Sequence, residues 1–346
     1  MQTKLFHIPI PVGHENEIQE AAALIRSGQL VGIPTETVYG LGADALNPDA
    51  VAAIYEAKGR PSDNPLIIHV PKDKSWLDRY CVNVPPLAYE LADTFWPGPL
   101  TMILERNTIV PDRTTGGLDT VGIRCPDHPV TLAIIQAADR PIAAPSANTS
   151  GRPSCTSAAE VMEDVGGKIA GIVDGGACSV GVESTILDLT VTPPRLLRPG
   201  GMPLEALEAV CGEIELDEAI LRQMKEGERP RAPGMKYRHY APKAPVTVFT
   251  GAPFKTAAAI AELAGEGSGV ICFEEFQDAF PGAVVVSLGS VQDKQEQARR
   301  VFSALRSFDG TEVAAIFAQC PDPAGLGLAV GNRLKKAAGF QVVEVE

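Results

Sequence analysis

One break in rhythm constrains this chain more than anything else in it. Residues 213–232 (EIELDEAILRQMKEGERPRA) are charge-dense and poor in large apolar groups, and 233–243 (PGMKYRHYAPK) follow with proline near both ends. Such a stretch cannot build a core, so it divides the chain and reads as a linker over 213–243. The 346 residues suit two domains at about 100–200 residues each. The first covers 1–212 and the second 244–346. Tyr237, His239 and Tyr240 are unusual ornaments for a passive connector.

Before the linker, short apolar runs at 30–34, 65–70, 100–104, 121–124, 141–144, 170–173, 184–189 and 195–198 read as strands. Helical patterns lie at 86–95 and 128–138. Asn16 is expected to cap a helix through Ile18, Ala21, Ala22, Leu24 and Ile25 that Gly28 stops. Many short strands separated by Gly, Pro and Ser clusters predict a mixed α/β fold around a strongly twisted sheet. After the linker, strand-like runs at 246–251, 269–273, 283–289 and 312–318 alternate with helical patterns at 254–264, 292–307 and 326–338. That alternation predicts a small parallel sheet flanked by helices.

Several classes are disfavoured. No apolar run approaches the roughly 18 residues of a membrane span, and the start, MQTKLFHIPIPVGHENE, lacks the basic-then-apolar pattern of a secretory signal. The seven cysteines show no CxxC spacing and the five histidines no HExxH. Reduced thiols in a cytoplasmic protein, with no resident metal and no membrane partner, are therefore expected. A net charge of −13 argues against a tightly held nucleic acid, although it says nothing about one pocket. GAPFKT (251–256) lacks the second glycine of a P-loop, and GLGLAVG (325–331) misses the GxGxxG spacing by one residue.

Chemistry concentrates in the first 200 residues. PTETVYGLG (34–42) offers the hydroxyls of Thr35 and Thr37, with Gly40 and Gly42 for close backbone approach. A plain strand-to-helix turn would read the same way. KGRPSDNPLIIHV (58–70) sets Lys58 and Arg60 two apart, pointing to one side in an extended loop, with Asn64 and His69 after them. A guanidinium fork and an ammonium make a phosphate clamp, or simply a solvated pair. DTVGIRCP (119–126) ends an apolar strand on Arg124, a cation that needs a carboxylate or phosphate partner, with Thr120 on the same stretch. APSANTSGRPS (144–154) supplies Ser146, Asn148, Ser150 and Ser154 around Gly151; it could wrap an anion or open a helix capped by Thr156. VESTILDL (182–189) adds Ser184, and LLRPGG (196–201) adds Arg198. Four cations on loops rich in hydroxyls and glycine suit a nucleoside triphosphate site without a P-loop, where position and charge matter more than a protein nucleophile.

PTETVYGLGADAL, KGRPSDNPLIIHV, FWPGPLTMIL, APSANTSGRPS and LLRPGG together resemble the YrdC-like family, over residues 10–205. PGMKYRHYAP and the C-terminal pattern resemble its long form, the threonylcarbamoyl-AMP synthases with an extra C-terminal domain. The resemblance implies a twisted α/β domain with a large concave cavity plus a small Rossmann-like parallel-sheet domain. It implies synthesis of L-threonylcarbamoyl-AMP and pyrophosphate from L-threonine, bicarbonate (or CO2) and ATP with Mg2+. A separate transferase complex would use the product to make N6-threonylcarbamoyladenosine in tRNA. By matching motif, Thr37, His69, Arg124, Ser184 and the Ala144 backbone would line the threonine end, Arg124 pairing with the threonine carboxylate. Lys58 and Arg60 would be catalytic and, with Asn64, Thr120, Ser146, Ser154 and Arg198, would hold ATP. Tyr237 and His239 would reach ATP from a lid formed by the linker. Family members often carry Ser or Thr where this chain has Ala232, which removes a hydroxyl contact there. The competing reading is a non-catalytic RNA-binding module of the same fold, against which the acidic charge and the lack of an aromatic platform weigh.

Overall fold

The computed structural model describes residues 2–222, 230–233, 235 and 239–346. Among them, eleven strands form one mixed sheet. Its spatial order is Lys4–His7, Gly171–Asp174, Val31–Ile33, Gly40–Asp44, Ile142–Ala143, Ile67–His69, Thr120–Arg124, Leu100–Glu105, Thr185–Asp188, Arg195–Arg198 and Glu215–Leu216. The eight apolar runs of the sequence before the linker supply eight of these strands; Lys4–His7, Gly40–Asp44 and Glu215–Leu216 were not read as strands. The turn after residue 34 proves to be a hairpin, because Val31–Ile33 pairs antiparallel with Gly40–Asp44. Gly40 packs closely here: a Cβ would lie 3.0 Å from the Cβ of Ala144, which would have to give way by a few tenths of an ångström.

Register brings strand ends together. Ile67–His69 and Thr120–Arg124 run parallel with His69 opposite Arg124. Met102 pairs with Ile123, Leu100 with Thr185, and Ile186 with Arg198. His69, Arg124, Ser184 and Arg198 therefore fall at one end of the sheet. Thr120 sits at the other end of its strand, about 13 Å away at roughly 3.3 Å per residue.

Beyond the linker, Val246–Gly251, Ser268–Cys272, Val284–Ser287, Ala315–Gln319 and Val342–Val345 form a wholly parallel sheet. Its inner strands read as apolar runs because both faces are covered, while the edge strand Val342–Val345, half exposed, was not read as a strand. Val248, Ile271 and Ile316 pack with Val301, Phe302, Val330 and Leu334 of helices Lys294–Ser307 and Gly327–Ala337. Phe249, Val270 and Cys272 pack with Ala257 and Ile260 of helix Pro253–Ala261.

Three local expectations are corrected. The first helix is Glu15–Arg26, with Asn16 inside it and His14 at its N-cap without a side-chain bond. Helix Ala158–Val165 is capped by Ser157, not Thr156, because Glu160 at its third position closes a capping box with Ser157. The linker is not passive. Glu215–Leu216 joins the large sheet, and Ala232 and Met235 are buried on Ile67, Ile186 and Leu197. An apolar environment at 232 suits alanine in place of a hydroxyl.

Candidate functional site

Lys58 and Arg60 owe their positions to a helix stop. Asn47 caps helix Pro48–Lys58 by accepting from the backbone N–H groups of Asp49 and Ala50. Gly59 ends it at φ 62°, a left-handed conformation that glycine adopts without strain. Lys58 is thus the last helical residue and Arg60 leaves in a new direction; the pair does not lie on an extended loop. Lys58 is 2% exposed, and its ammonium donates to the backbone carbonyls of Ser146 and Asn148. Burial, helped by the nearby Arg60 charge, pulls it down to about 7.

Arg124 is buried at its strand end. Its Nε donates to the Gly98 carbonyl at 3.2 Å and its Nη1 to the Thr37 hydroxyl at 2.9 Å. Its Nη2 lies 2.6 Å from the Glu36 carboxylate. The sequence calls for a carboxylate or phosphate partner for this cation; the carboxylate beside it is Glu36, between the two threonines of PTET. Arg198 donates to the Ser184 carbonyl at 2.9 Å and to the Pro233 carbonyl of the linker at 3.3 Å. Burial pulls it down to about 10. Gly200 must be bare beside it, since a Cβ would lie 2.3 Å from the Glu183 carbonyl oxygen.

His69 is buried with Nδ1 3.3 Å from the Ile142 carbonyl. Burial and the Arg124 charge push it down to about 3, so the ring is neutral. A carbonyl only accepts, so Nδ1 carries the proton and Nε2 keeps a lone pair.

These groups meet around one recess that is partly open to solvent. It is bordered by Thr37, Lys58, Arg60, His69, Arg124, Ala144, Ser146, Ser184, Arg198 and His239. All four cations singled out from the sequence converge there. Three expected contacts do not border it. Thr120 is at the far strand end. Asn64 is buried beside it, its carbonyl accepting from the Tyr55 hydroxyl at 3.1 Å. Ser154 is buried with its hydroxyl donating to Glu183 at 2.6 Å. Tyr237 lies outside the described residues. Glu183 also borders the recess and went unassigned in the sequence, and Tyr240, noted there only as an unusual linker residue, borders it too. The first carried a signal, a charge set inside the apolar run around Ser184. Among the described residues no three metal-binding side chains cluster, and no helix is long and apolar enough to cross a membrane.

Comparison with known proteins identifies the family. Residues 23–200 match the Sua5–YciO–YrdC family, described as telomere recombination, and 202–339 match the threonylcarbamoyl-AMP synthase C-terminal domain. The threonylcarbamoyl-AMP synthase of Pyrococcus abyssi is 50% identical over 96% of both chains, and that of Bacillus subtilis 48% over 95% of both. The crystal structure of P. abyssi Sua5 complexed with L-threonine superposes with a TM-score of 0.93, at 47% identity over the whole of both chains. The chain belongs to the threonylcarbamoyl-AMP synthase family of enzymes and carries that family's C-terminal domain.

Proposed function

We propose that the recess joins L-threonine, bicarbonate (or CO2) and ATP into L-threonylcarbamoyl-AMP, releasing pyrophosphate, which makes the protein a nucleotidyltransferase. The observation that carries this reading is the convergence of Lys58, Arg60, Arg124 and Arg198 on one recess in a chain of net charge −13. Thr37, His69, Arg124, Ser184 and the Ala144 backbone form the threonine end. The neutral imidazole of His69 accepts there through Nε2. Lys58, Arg60, Ser146, Arg198 and His239 hold the nucleotide. Asn64 and Ser154 support that end from behind.

The threonine amine adds to CO2, losing a proton to give the carbamate. A carbamate oxygen then attacks the α-phosphorus; the new P–O bond forms as the bond to pyrophosphate breaks. The protein supplies proximity and preorganised positive charge. The described residues do not by themselves make a Mg2+ site, so the ion would enter on the ATP phosphates and water, as part of the substrate. The product is a reactive mixed anhydride that a separate transferase would pass to tRNA adenosine.

The test is pyrophosphate release from ATP that requires both threonine and bicarbonate. Lys58→Ala and Arg60→Ala should each lower turnover about 100-fold, the scale of losing one preorganised donor. Wild-type rates from a folded double variant would refute the assignment. One methyl discriminates only about 10–200-fold, so serine should be a poorer but measurable substrate.

A further inference from the structure

The recess wall contains a carboxylate that a polyphosphate site would ordinarily avoid. Glu183 is buried and borders the recess beside Ser184 and Arg198. Left alone, it would repel an anionic ligand and would itself be costly to bury. Its partner lies 150 residues further along the chain. Arg333, on helix Gly327–Ala337 of the C-terminal domain, donates from Nε to the Glu183 carboxylate at 2.7 Å. Ser154 donates to the other carboxylate oxygen at 2.6 Å. Arg333 is 0% exposed and does not border the recess. Its guanidinium lies 5.5 Å from the ring centre of Tyr240, which does border it, and Nη1 donates to Asn332 at 2.9 Å.

We propose that Arg333 is a positioning residue of the synthase site: it neutralises Glu183 and holds it against Ser154, making this wall of the recess compatible with a nucleoside triphosphate. The inference rests on the function proposed above and gives the C-terminal domain a part in it. Arg333 acts through Glu183, because its own side chain has no path to the ligand. Burial pushes the Glu183 carboxyl up, yet Arg333 and then Arg198 hold it down to about 2. Tyr240, His239 and Lys336 are the other titratable groups facing it. Arg333 bonds the carboxylate directly from the far domain and from outside the recess.

The test measures the Kd of Mg-ATP by calorimetry and steady-state kcat and KM for the full-length wild type, Arg333→Met, Arg333→Lys and the double variant Arg333→Met, Glu183→Gln. Arg333→Met should weaken ATP binding and raise its KM roughly 30-fold, the cost of truncating one partner of a buried ion pair, with kcat at saturating ATP little changed. Arg333→Lys should recover part of the loss. The double variant should recover most of it, because the unneutralised carboxylate is gone. An unchanged Kd in folded Arg333→Met, or a folded double variant no tighter than the single, overturns the proposal. If Arg333→Met alone does not fold, the double variant, in which both charges of the Arg333–Glu183 pair are gone, decides: near-wild-type ATP binding supports the proposal and weak binding overturns it. A wild-type protein that binds no ATP removes the functional reading and this inference together, whereas binding indifferent to Arg333 removes the inference alone.

Discussion

Lys58 shows how far a residue's type can be read and where reading stops. A cation in that motif was visible from sequence, as half of a phosphate clamp or of a solvated pair. Its burial under Ser146 and Asn148, and hence its depressed proton affinity, was not, because those carbonyls lie some ninety positions away. The consequence is measurable. In the free protein Lys58 is mostly neutral above about pH 7. A triphosphate placed beside it favours the charged form and raises its affinity for the proton. ATP binding at about pH 8.5 should therefore take up a proton, and binding at about pH 6, where Lys58 is already charged, should not. Calorimetry in two buffers of different ionisation heat reads this directly, and Lys58→Met should abolish the uptake. The same residue influences stability without ligand. The unfolded chain keeps the proton up to the ordinary lysine value near 10.5. Stability thus rises as pH climbs from about 7 towards that value and is lost as pH falls through 7. Glu36 marks the opposite failure: both neighbouring threonines were singled out, while the carboxylate between them was passed over although Arg124 required one.

At the level of helices and strands, the sequence was legible wherever a local rule decided the outcome. Apolar runs became strands, and the alternation after the linker became a parallel sheet because both its faces are packed. It was less legible where two neighbours obeyed the same rule. Thr156 and Ser157 are both good caps, and only Glu160, at the right distance from Ser157, breaks the tie. The helix stop at Gly59 is a local rule with a functional result, since it decides where Lys58 ends and where Arg60 points. Gly59→Ala should cost about 1 kcal/mol of stability, the price of a Cβ in the left-handed region. Gly59→Asn should cost less, because asparagine visits that region more readily. Denaturant unfolding gives both values. Space is not the issue, as nothing lies within 4 Å of a Cβ built at Gly59. An alanine variant as stable as wild type would show that the turn relaxes and that backbone conformation does not set the pair. If the turn does set it, kcat/KM for ATP should fall further in Gly59→Ala than the stability loss alone explains, since the protein remains folded at assay temperature.

The two sheets do not act as beads joined by a string. Val38 and Val182 of the large-sheet domain share one buried apolar cluster with Phe302 and Val330 of the other domain. Arg306 reaches back to Asp164 at 3.1 Å, and Asp164 holds the backbone N–H of Thr149 in the loop that carries Ser146 and Ser150. The contacts between the two sheets were not legible from sequence, because each joins residues more than a hundred positions apart and no local pattern announces a docking surface. Gly181 is the clearest case. Val180 and Gly181 donate to the carbonyls of Glu36 and Thr37, so this loop backs the PTET turn at the threonine end. A Cβ at 181 would lie 2.4 Å from the Cα of Arg299 and 2.6 Å from the carbonyl oxygen of Ala298, both backbone atoms of helix Lys294–Ser307. Its φ of 83° adds strain to any side chain. Gly181→Ala must therefore push the domains apart or drag the loop off the PTET turn. Hydrogen exchange separates these effects from global unfolding. Amides at 37–38 and 180–181 should exchange faster, while strands Ser268–Cys272 and Ala315–Gln319 keep their protection. Threonine-dependent pyrophosphate release should fall in parallel, with KM for threonine rising more than KM for ATP, because the disturbed turn carries Thr37 and the Glu36 partner of Arg124. Unchanged exchange at those amides in the variant would mean that the second domain rests against the first without bracing it.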